Sequence, residues 1–409
     1  MTETKQASFA GPWFVLAGVW LIYFGFGVIM AAMGPLITPI SAELGIGRTT
    51  MGAILGAWPF VYIIASVPCG LLLDWLGARR VLFLAALIMA ASSWARGMAD
   101  TPLQLFLAVG LFGVGGPMIS IGAPKVIAGL FTGKNRATAM GVYVTGPYLG
   151  ALSALALTNS VAMPLVDGDW RAVMQLYAAL VATIGFAWLA LSGGGRMATS
   201  DEGGKKFELG AFAEILKQRT VQLVLGLSIG IFFINHALNN WLPEILRERG
   251  MSAVDAGYWA AIPAAIGVLG ALTIPRLATP KYRLAVMAAL VCATIAASLL
   301  LHFGPGLALG SGLFLQGIAR GSMMTVAILI LMEAPDVPKE RLGLAGGLFF
   351  TAAEFGGVTG PSVFGFLADV SGGFALSFVS MSVVCVILLV LVAGLRREQA
   401  RAWKQGRLK

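Results

Sequence analysis

The sequence predicts an all-α polytopic membrane protein with twelve transmembrane helices in two pseudo-symmetric six-helix bundles. Composition is the first reason, because 58% of the 409 residues are hydrophobic and 11% are charged. A water-soluble protein of this length needs far more polar surface. The second reason is that apolar runs long enough to cross a bilayer recur from Pro12 to Leu395. The third is a motif that recurs about half a chain length later.

The predicted helices follow the apolar runs and the polar residues that separate them. The first six cover residues 12–40, 49–74, 80–98, 103–131, 136–163 and 171–193. The second six cover 220–247, 253–276, 282–302, 306–333, 341–368 and 373–395. The first run is too long for a signal peptide and lacks a small-residue cleavage site after a short apolar core. We therefore expect it to remain as a span.

A polar segment divides the predicted helices into two sets of six. The expected organisation is an N-terminal half (1–193), a cytoplasmic linker (194–219), a C-terminal half (220–395) and a basic cytoplasmic tail (396–409). The sequence Lys134-Asn-Arg136-Ala-Thr-Ala-Met-Gly recurs as Lys339-Glu-Arg341-Leu-Gly-Leu-Ala-Gly. Each copy opens a span that later contains Gly-Pro. Such a repeat is typical of duplicated transporter halves.

The net charge of +9 is distributed unevenly along the chain. Basic residues concentrate in alternate loops and in the tail, which is the positive-inside pattern with both termini cytoplasmic. This placement argues against a nucleic-acid partner. The three cysteines lie within apolar runs, which makes a disulfide framework or a metal site improbable. The two histidines, His236 and His302, have no metal-ligand spacing.

The loop between the second and third predicted spans carries the most specific motif. It reads Gly70-Leu-Leu-Leu-Asp74-Trp-Leu-Gly77-Ala-Arg79-Arg80. This order of residues resembles the loop between spans 2 and 3 of the major facilitator superfamily of transporters. In that family the acidic and basic residues form a cytoplasmic gate. The resemblance implies the same role for Gly70, Asp74, Gly77, Arg79 and Arg80.

The resemblance implies the major facilitator fold and a secondary active transporter that works by alternating access. Because the sequence has no metal-spaced cluster and no nucleophile motif, we expect no enzymatic activity, no catalytic residue and no cofactor. The expected partners are a small-molecule substrate, protons and the lipid bilayer, and the chain is expected to be a monomer. Residues 233–246 and 346–361 also resemble the bacterial cyanate and nitroimidazole porter group. That narrower resemblance implies an inner-membrane porter for small, often anionic solutes.

Four ionisable residues lie inside predicted spans, where a charge requires a partner, a cavity or a pathway. They are Lys125, His236, Arg320 and Glu354, in spans 4, 7, 10 and 11. In the resembled family, these spans line the central cavity. Glu354 is the expected proton-coupling residue, with His236 second. Lys125 and Arg320 are the expected cations for an anionic substrate.

Each of these assignments has an alternative. Arg320 and Glu354 could form a static pair, and Lys125 could extend its ammonium towards the inner membrane surface. His236 shares a helix face with Asn239, so a satisfied core histidine is as consistent with the pattern as a functional one. Tyr23 lies deep in span 1, where it lines the cavity or only packs.

Two hypotheses for the transported solute remain open at this point. The first is proton-coupled movement of a small anion. The second is proton-antiporting export of amphipathic metabolites or drugs, which Gly146-Pro147, the aromatic content and the few cavity charges favour. The sequence does not distinguish uptake from export.

Overall fold

The computed structural model describes residues 11–193, 209–304, 306–334, 337–338 and 341–404. Most of the predicted linker therefore lies outside the described residues. The same holds for Lys339 and Glu340 of the repeated motif and for the end of the tail, residues 405–409.

Residues 11–193, as described, form ten α-helices. They are α1 (Pro12–Ala31), α2 (Ile37–Leu44), α3 (Arg48–Leu55), α4 (Ala57–Leu76), α5 (Ala78–Gly97), α6 (Pro102–Leu130), α7 (Gly133–Tyr143), α8 (Thr145–Leu157), α9 (Met163–Leu165) and α10 (Trp170–Leu191). A 3₁₀ turn (Gly34–Leu36) joins α1 to α2, and a π-helical turn (Thr158–Ala162) joins α8 to α9.

The remaining described helices begin with a short helix inside the predicted linker. They are α11 (Leu209–Leu216), α12 (Arg219–Glu248), α13 (Ala253–Leu277), α14 (Arg283–Phe303), α15 (Leu307–Met332), α16 (Leu342–Ser371) and α17 (Ala375–Lys404). The last helix continues past residue 395, so the beginning of the predicted tail is helical.

In the described part of the chain, these helices form twelve segments that are long and apolar enough to cross a membrane. The predicted all-α, twelve-span architecture is confirmed. Spans 1, 2 and 5 are composite, because α1–α2, α3–α4 and α7–α9 each form one crossing. Spans 3, 4 and 6 are α5, α6 and α10, and spans 7 to 12 are α12 to α17 in chain order.

Span 1 was expected to be continuous over 12–40, but the helix breaks after Ala31. Pro35 explains the break, because proline has no N–H and its ring clashes with the preceding helical turn. Side chains from other helices bind carbonyls near the break. Nη1 of Arg96 donates to the carbonyl of Ile29 at 3.0 Å, and Nδ2 of Asn159 donates to that of Pro35 at 3.2 Å. These contacts satisfy backbone acceptors that the interrupted helix leaves unpaired.

The chain divides into two compact units. The first comprises Met1–Gly45 and Ala57–Gly203, and the second comprises Ile46–Gly56 and Gly204–Lys409. Helix α3 therefore groups with the second unit, although it begins the second span of the predicted N-terminal half.

The first unit is built on close contacts between its helices. Helix α1 packs on α8, α5 packs on α6 and α10, and α4 packs on α6. At Gly150 of α8, an added Cβ would collide with the backbone carbonyl of Phe24 in α1. Only glycine permits this approach, which is how small residues favour helix association inside a membrane.

The second unit repeats this kind of packing. Helix α12 packs on α16, α13 packs on α15, and α14 packs on α15. At Gly356 of α16, an added Cβ would collide with the backbone carbonyl of Ile229 in α12. The backbones of spans 7 and 11 are thus in contact, and side chains that these helices direct at each other are held in a fixed register.

The short helix α11 contacts the start of span 11 through an ion pair. Nη1 of Arg341 binds Oε2 of Glu214. This hydrogen bond to Arg341 holds the pKa of the Glu214 carboxyl below its ordinary value. The contact joins the described end of the linker region to the residue that precedes α16.

Candidate functional site

Arg320 lies near the middle of α15 in the second unit and is partly buried. Its Nη2 donates to Oδ1 of Asn239, on α12, at 2.6 Å. Asn239 is itself buried. An amide oxygen orients a guanidinium without carrying a compensating charge. The contact therefore positions a cation inside the membrane-spanning part of the second unit.

Glu354 and His236 form a second polar contact in this unit. Oε2 of Glu354, on α16, lies 4.0 Å from Nδ1 of His236, on α12. The two side chains are 6% and 12% exposed, respectively. The sequence left open a static pair of Arg320 with Glu354, whereas the structure brings Glu354 to His236 and Arg320 to Asn239. Three helices thus place two adjacent polar contacts inside one bundle.

Lys125, the other expected substrate cation, lies in the first unit near the end of α6. Its Nζ is 2.5 Å from Oδ1 of Asp74, at the end of α4. The side chains are 37% and 67% exposed. This geometry favours the alternative in which the lysine extends towards the predicted cytoplasmic end. It also joins Lys125 to the predicted gate motif.

The other residues of that motif contact different parts of the first unit. Gly77 adopts φ 77°, a left-handed conformation that glycine tolerates best, and it separates α4 from α5. Arg79 donates to Oγ of Ser192 at 2.8 Å and to the carbonyl of Leu189 at 2.9 Å. Arg79 is thereby attached to the end of span 6, whereas Asp74 pairs with Lys125.

Tyr23 belongs to an aromatic cluster in the first unit. Its ring stacks on Tyr143 at a centroid distance of 5.5 Å and an interplanar angle of 9°. A hydrogen bond joins its side chain to that of Ser120. On α4, the rings of Trp58 and Tyr62 pack edge to face, and both residues are buried. These contacts are consistent with packing and leave the predicted substrate role untested.

Two polar sites were missed by sequence reasoning. Arg96 had no predicted role within the span 80–98, but it is 1% exposed and lies in the last turn of α5. Its guanidinium lies over the ring of Phe112, 5.5 Å from the centroid. Pro35 interrupts the helix of span 1 and leaves carbonyl groups without a partner in that helix. This feature of the sequence could have suggested that a buried donor such as Arg96 binds them.

The second missed site lies where α3 meets α16 in the second unit. The Asp369 carboxylate accepts hydrogen bonds from the backbone N–H of Arg48 at 3.2 Å and of Thr49 at 2.7 Å, and from the Thr49 hydroxyl at 2.7 Å. Arg48 also pairs with Glu248. Gly47 precedes α3 and cannot cap it. The sequence Gly-Arg-Thr-Thr at the start of α3 provides no side-chain cap for the helix, and this absence could have indicated a capping residue from another helix.

No group of three or more histidine, cysteine, aspartate or glutamate side chains in the described part of the chain could hold a metal ion. The polar contacts found in the spans can orient a solute, bind an anion or exchange protons.

Comparison with known proteins identifies the family. The sequence profile of the Major Facilitator Superfamily matches residues 16–336. The chain belongs to this superfamily. It is thus a multi-pass membrane transporter and not an enzyme.

Relatives within the superfamily are distant but nearly full length. The probable galactarate/D-glucarate transporter GudP of Escherichia coli (strain K12) is 24% identical, over 88% of this chain and 89% of that protein. The D-galactonate transporter of Escherichia coli O6:H1 is also 24% identical, over 88% and 90%. A crystal structure of a bacterial homologue of the lysosomal transporter Spinster superposes with a TM-score of 0.75 at 18% identity, covering 95% of this chain and 97% of that one. The structural likeness establishes the superfamily fold.

Proposed function

We propose that this superfamily member moves a small organic anion across the bacterial inner membrane, coupled to protons and by alternating access. The observation that supports this proposal most strongly is that the neutral amide of Asn239 orients Arg320. Charge-assisted hydrogen bonds from arginine are among the strongest that a protein offers a carboxylate. A membrane-embedded arginine held in this way suits a carboxylate ligand.

The names of the relatives support an anionic solute. GudP and the D-galactonate transporter carry the names of sugar acids, which are organic anions at neutral pH. These relatives favour an organic acid over the cyanate-like solute that the narrower resemblance implied. We propose no individual sugar acid, since the identity to these proteins is 24%.

We assign roles to individual residues from the contacts within each unit that support them. Arg320 binds the carboxylate, Asn239 orients Arg320, and Glu354 carries the coupling proton with His236 as its neighbour. Lys125, with Asp74, contributes to the cytoplasmic gate rather than to the anion site. Both termini face the cytoplasm in this proposal, as the distribution of basic loops favours.

A ligand-stabilisation experiment tests the anion site. The purified protein is heated with small carboxylates, including D-glucarate and D-galactonate, with inorganic anions and with amphipathic drugs. A ligand that binds only the folded protein raises its apparent stability. We expect a carboxylate to stabilise the wild type, and the variant Arg320→Gln to need a concentration at least about tenfold higher, equivalent to about 1.4 kcal/mol.

The matched control is Arg219→Gln, which removes an exposed arginine from the start of α12. This variant should respond to the carboxylate as the wild type does. Stabilisation by amphipathic drugs alone would instead support export of such compounds. An undiminished response of Arg320→Gln to the carboxylate would refute the assignment of Arg320.

A further inference from the structure

Basic side chains gather at the end of the second unit where α13 and α17 end and α14 begins. Arg276 lies in the last turn of α13, and Lys281 lies in the connection to α14. Arg396 and Arg397 lie towards the end of α17. Lys281 and both of these arginines are exposed. These four residues are called the basic cluster below.

The packing of α17 on α14 brings the parts of this cluster together. Oγ of Ser298, on α14, donates to the carbonyl of Phe378, on α17, at 3.5 Å. Spans 9 and 12 run in opposite directions, so residues equally far before Ser298 and after Phe378 lie at similar depth. Arg396 follows Phe378 by 18 residues, which is about five helical turns, and therefore faces α14. Lys281 precedes Ser298 by 17 residues and lies at the same end of the two helices.

Acidic groups at this end of the unit already have partners. Oε1 of Glu398 accepts from Nη1 of Arg401 at 2.8 Å, within α17. Oε2 of Glu333, which follows α15, accepts from Nη2 of Arg283 at 2.7 Å. Among the described residues, the ion pairs include no member of the basic cluster. The positive charge of the cluster is therefore available to an anion from outside the chain.

The outer face of α17 carries an apolar stripe that leads directly to the cluster. Val383, Val386 and Val390 recur at a spacing of three and four residues, and each is more than half exposed. Arg397 follows Val390 by seven residues, about two turns, and so shares their face. The hydrocarbon core of a bilayer is about 30 Å thick, which is about 20 residues of helix. Counted from the start of α17, this length ends just before the two arginines of the cluster, which places them at the level of the lipid head groups.

The connection between α13 and α14 has the same mixed character. Nζ of Lys281 lies 5.2 Å from the centroid of the Tyr282 ring, and Tyr282 is itself exposed. Leu277, at the end of α13, is also exposed. Tyrosine is enriched where the hydrocarbon core meets the head groups. A molecule that fits this surface has apolar chains for the stripe and an anionic head for the cluster.

We propose that the basic cluster binds the phosphodiester head group of an anionic phospholipid, whose acyl chains lie along the outer face of α17. Lys281 and Arg396 bind the head group where α14 meets α17, and Arg397 binds it from the outer face. A neutral lipid lacks the charge that the cluster attracts, and inorganic phosphate lacks the chains that cover the stripe. The site uses none of the residues assigned to the anion or the coupling proton, so it stands apart from the proposed function.

Native mass spectrometry of the purified full-length protein tests this site without a transported solute. The protein is titrated in a neutral detergent with palmitoyl-oleoyl phosphatidylglycerol, which is anionic, or with the phosphatidylcholine that has the same acyl chains and no net charge. We expect the wild type to bind at least one phosphatidylglycerol about tenfold more tightly than phosphatidylcholine. The double variant Arg396→Gln/Arg397→Gln should bind it at least about tenfold more weakly than the wild type, because each basic residue near the surface contributes about fivefold.

The matched control is Lys134→Gln/Arg136→Gln, which removes two exposed positive charges from the start of α7 in the first unit. This variant should bind phosphatidylglycerol within about twofold of the wild type. Inorganic phosphate at the same concentration should not displace the lipid. The proposal is overturned if the wild type binds both lipids equally, if the two double variants bind phosphatidylglycerol equally, or if phosphate displaces it. Because no solute is added, these outcomes are independent of whether the protein transports an organic anion.

Discussion

At the residue scale, the second unit pairs its embedded charges with groups whose own charge is zero or variable. Asn239 is neutral and orients Arg320. His236 lies 4.0 Å from Glu354 and carries a charge only when protonated. A fixed ion pair is costly to break inside a protein, because it leaves an uncompensated charge. Contacts of the kind seen here can change protonation or ligand with less penalty.

Lys125 provides a residue-scale prediction. The variant Lys125→Met should change the maximal transport rate but leave the half-saturating concentration of the stabilising carboxylate within about twofold. The reason is its 2.5 Å contact with Asp74, which assigns it to the gate. Because this pair is exposed, its contribution to stability should be below about 1 kcal/mol. Initial rates of uptake into proteoliposomes measure both constants.

The comparison variant for Lys125 is Asp74→Asn, which removes the other member of the pair. The two variants should share a phenotype, and the double variant should be no worse than either one. A half-saturating concentration raised tenfold by Lys125→Met and unchanged by Asp74→Asn would return Lys125 to the anion site.

Residues such as Arg320 and Glu354 were predictable because a charge inside an apolar run is conspicuous in a sequence. Their partners were not. Hydropathy gives the depth of a residue in a span, but it does not give the helix that its side chain faces. The Glu354–His236 and Lys125–Asp74 contacts depend on the packing of α16 on α12 and of α6 on α4. Arg96 was missed because the effect of Pro35 on span 1 was not foreseen.

At the element scale, α3 is held by a carboxylate from another helix. Asp369 of α16 accepts two backbone N–H groups and one hydroxyl from the first two residues of α3. These N–H groups have no partner within the helix itself. A distant residue therefore performs the capping role that Gly47 cannot perform. The same helix pair is in close contact at Gly52, where an added Cβ would lie 2.5 Å from the carbonyl of Pro361.

The variant Asp369→Ala tests this cap. Loss of a helix N-cap typically costs about 1–2 kcal/mol. Hydrogen exchange of residues 48–55 should accelerate by about 5- to 30-fold, if these residues open as a local unit. Mass spectrometry of the exchanged peptide measures the rate.

The control for the cap is Asp100→Ala, which removes a side chain that is 82% exposed. Its effect on the same peptide should be negligible. Equal exchange of residues 48–55 in Asp369→Ala and in the wild type would show that the cap does not stabilise α3.

At the scale of the whole molecule, helix α3 groups with helices that lie far from it in the sequence. The repeat and the linker predict halves that meet within 194–219, whereas α3 groups with the second unit. The twelve spans were predictable, because each is a long apolar run. The grouping of α3 was not, because it depends on contacts with residues about 320 positions away, such as the bond from Thr49 to Asp369.

The central claim for the whole molecule is that Glu354 carries the coupling proton while Arg320 binds the anion. Proteoliposomes containing the Glu354→Gln variant test it most directly, by comparing proton-driven accumulation with counterflow exchange of the stabilising carboxylate. We predict that accumulation is lost, while counterflow continues with a half-saturating concentration within about twofold of the wild-type value. If the Glu354→Gln variant accumulates the carboxylate as well as the wild type does, the claim is contradicted. If a folded variant loses both accumulation and counterflow, Glu354 has a structural role instead.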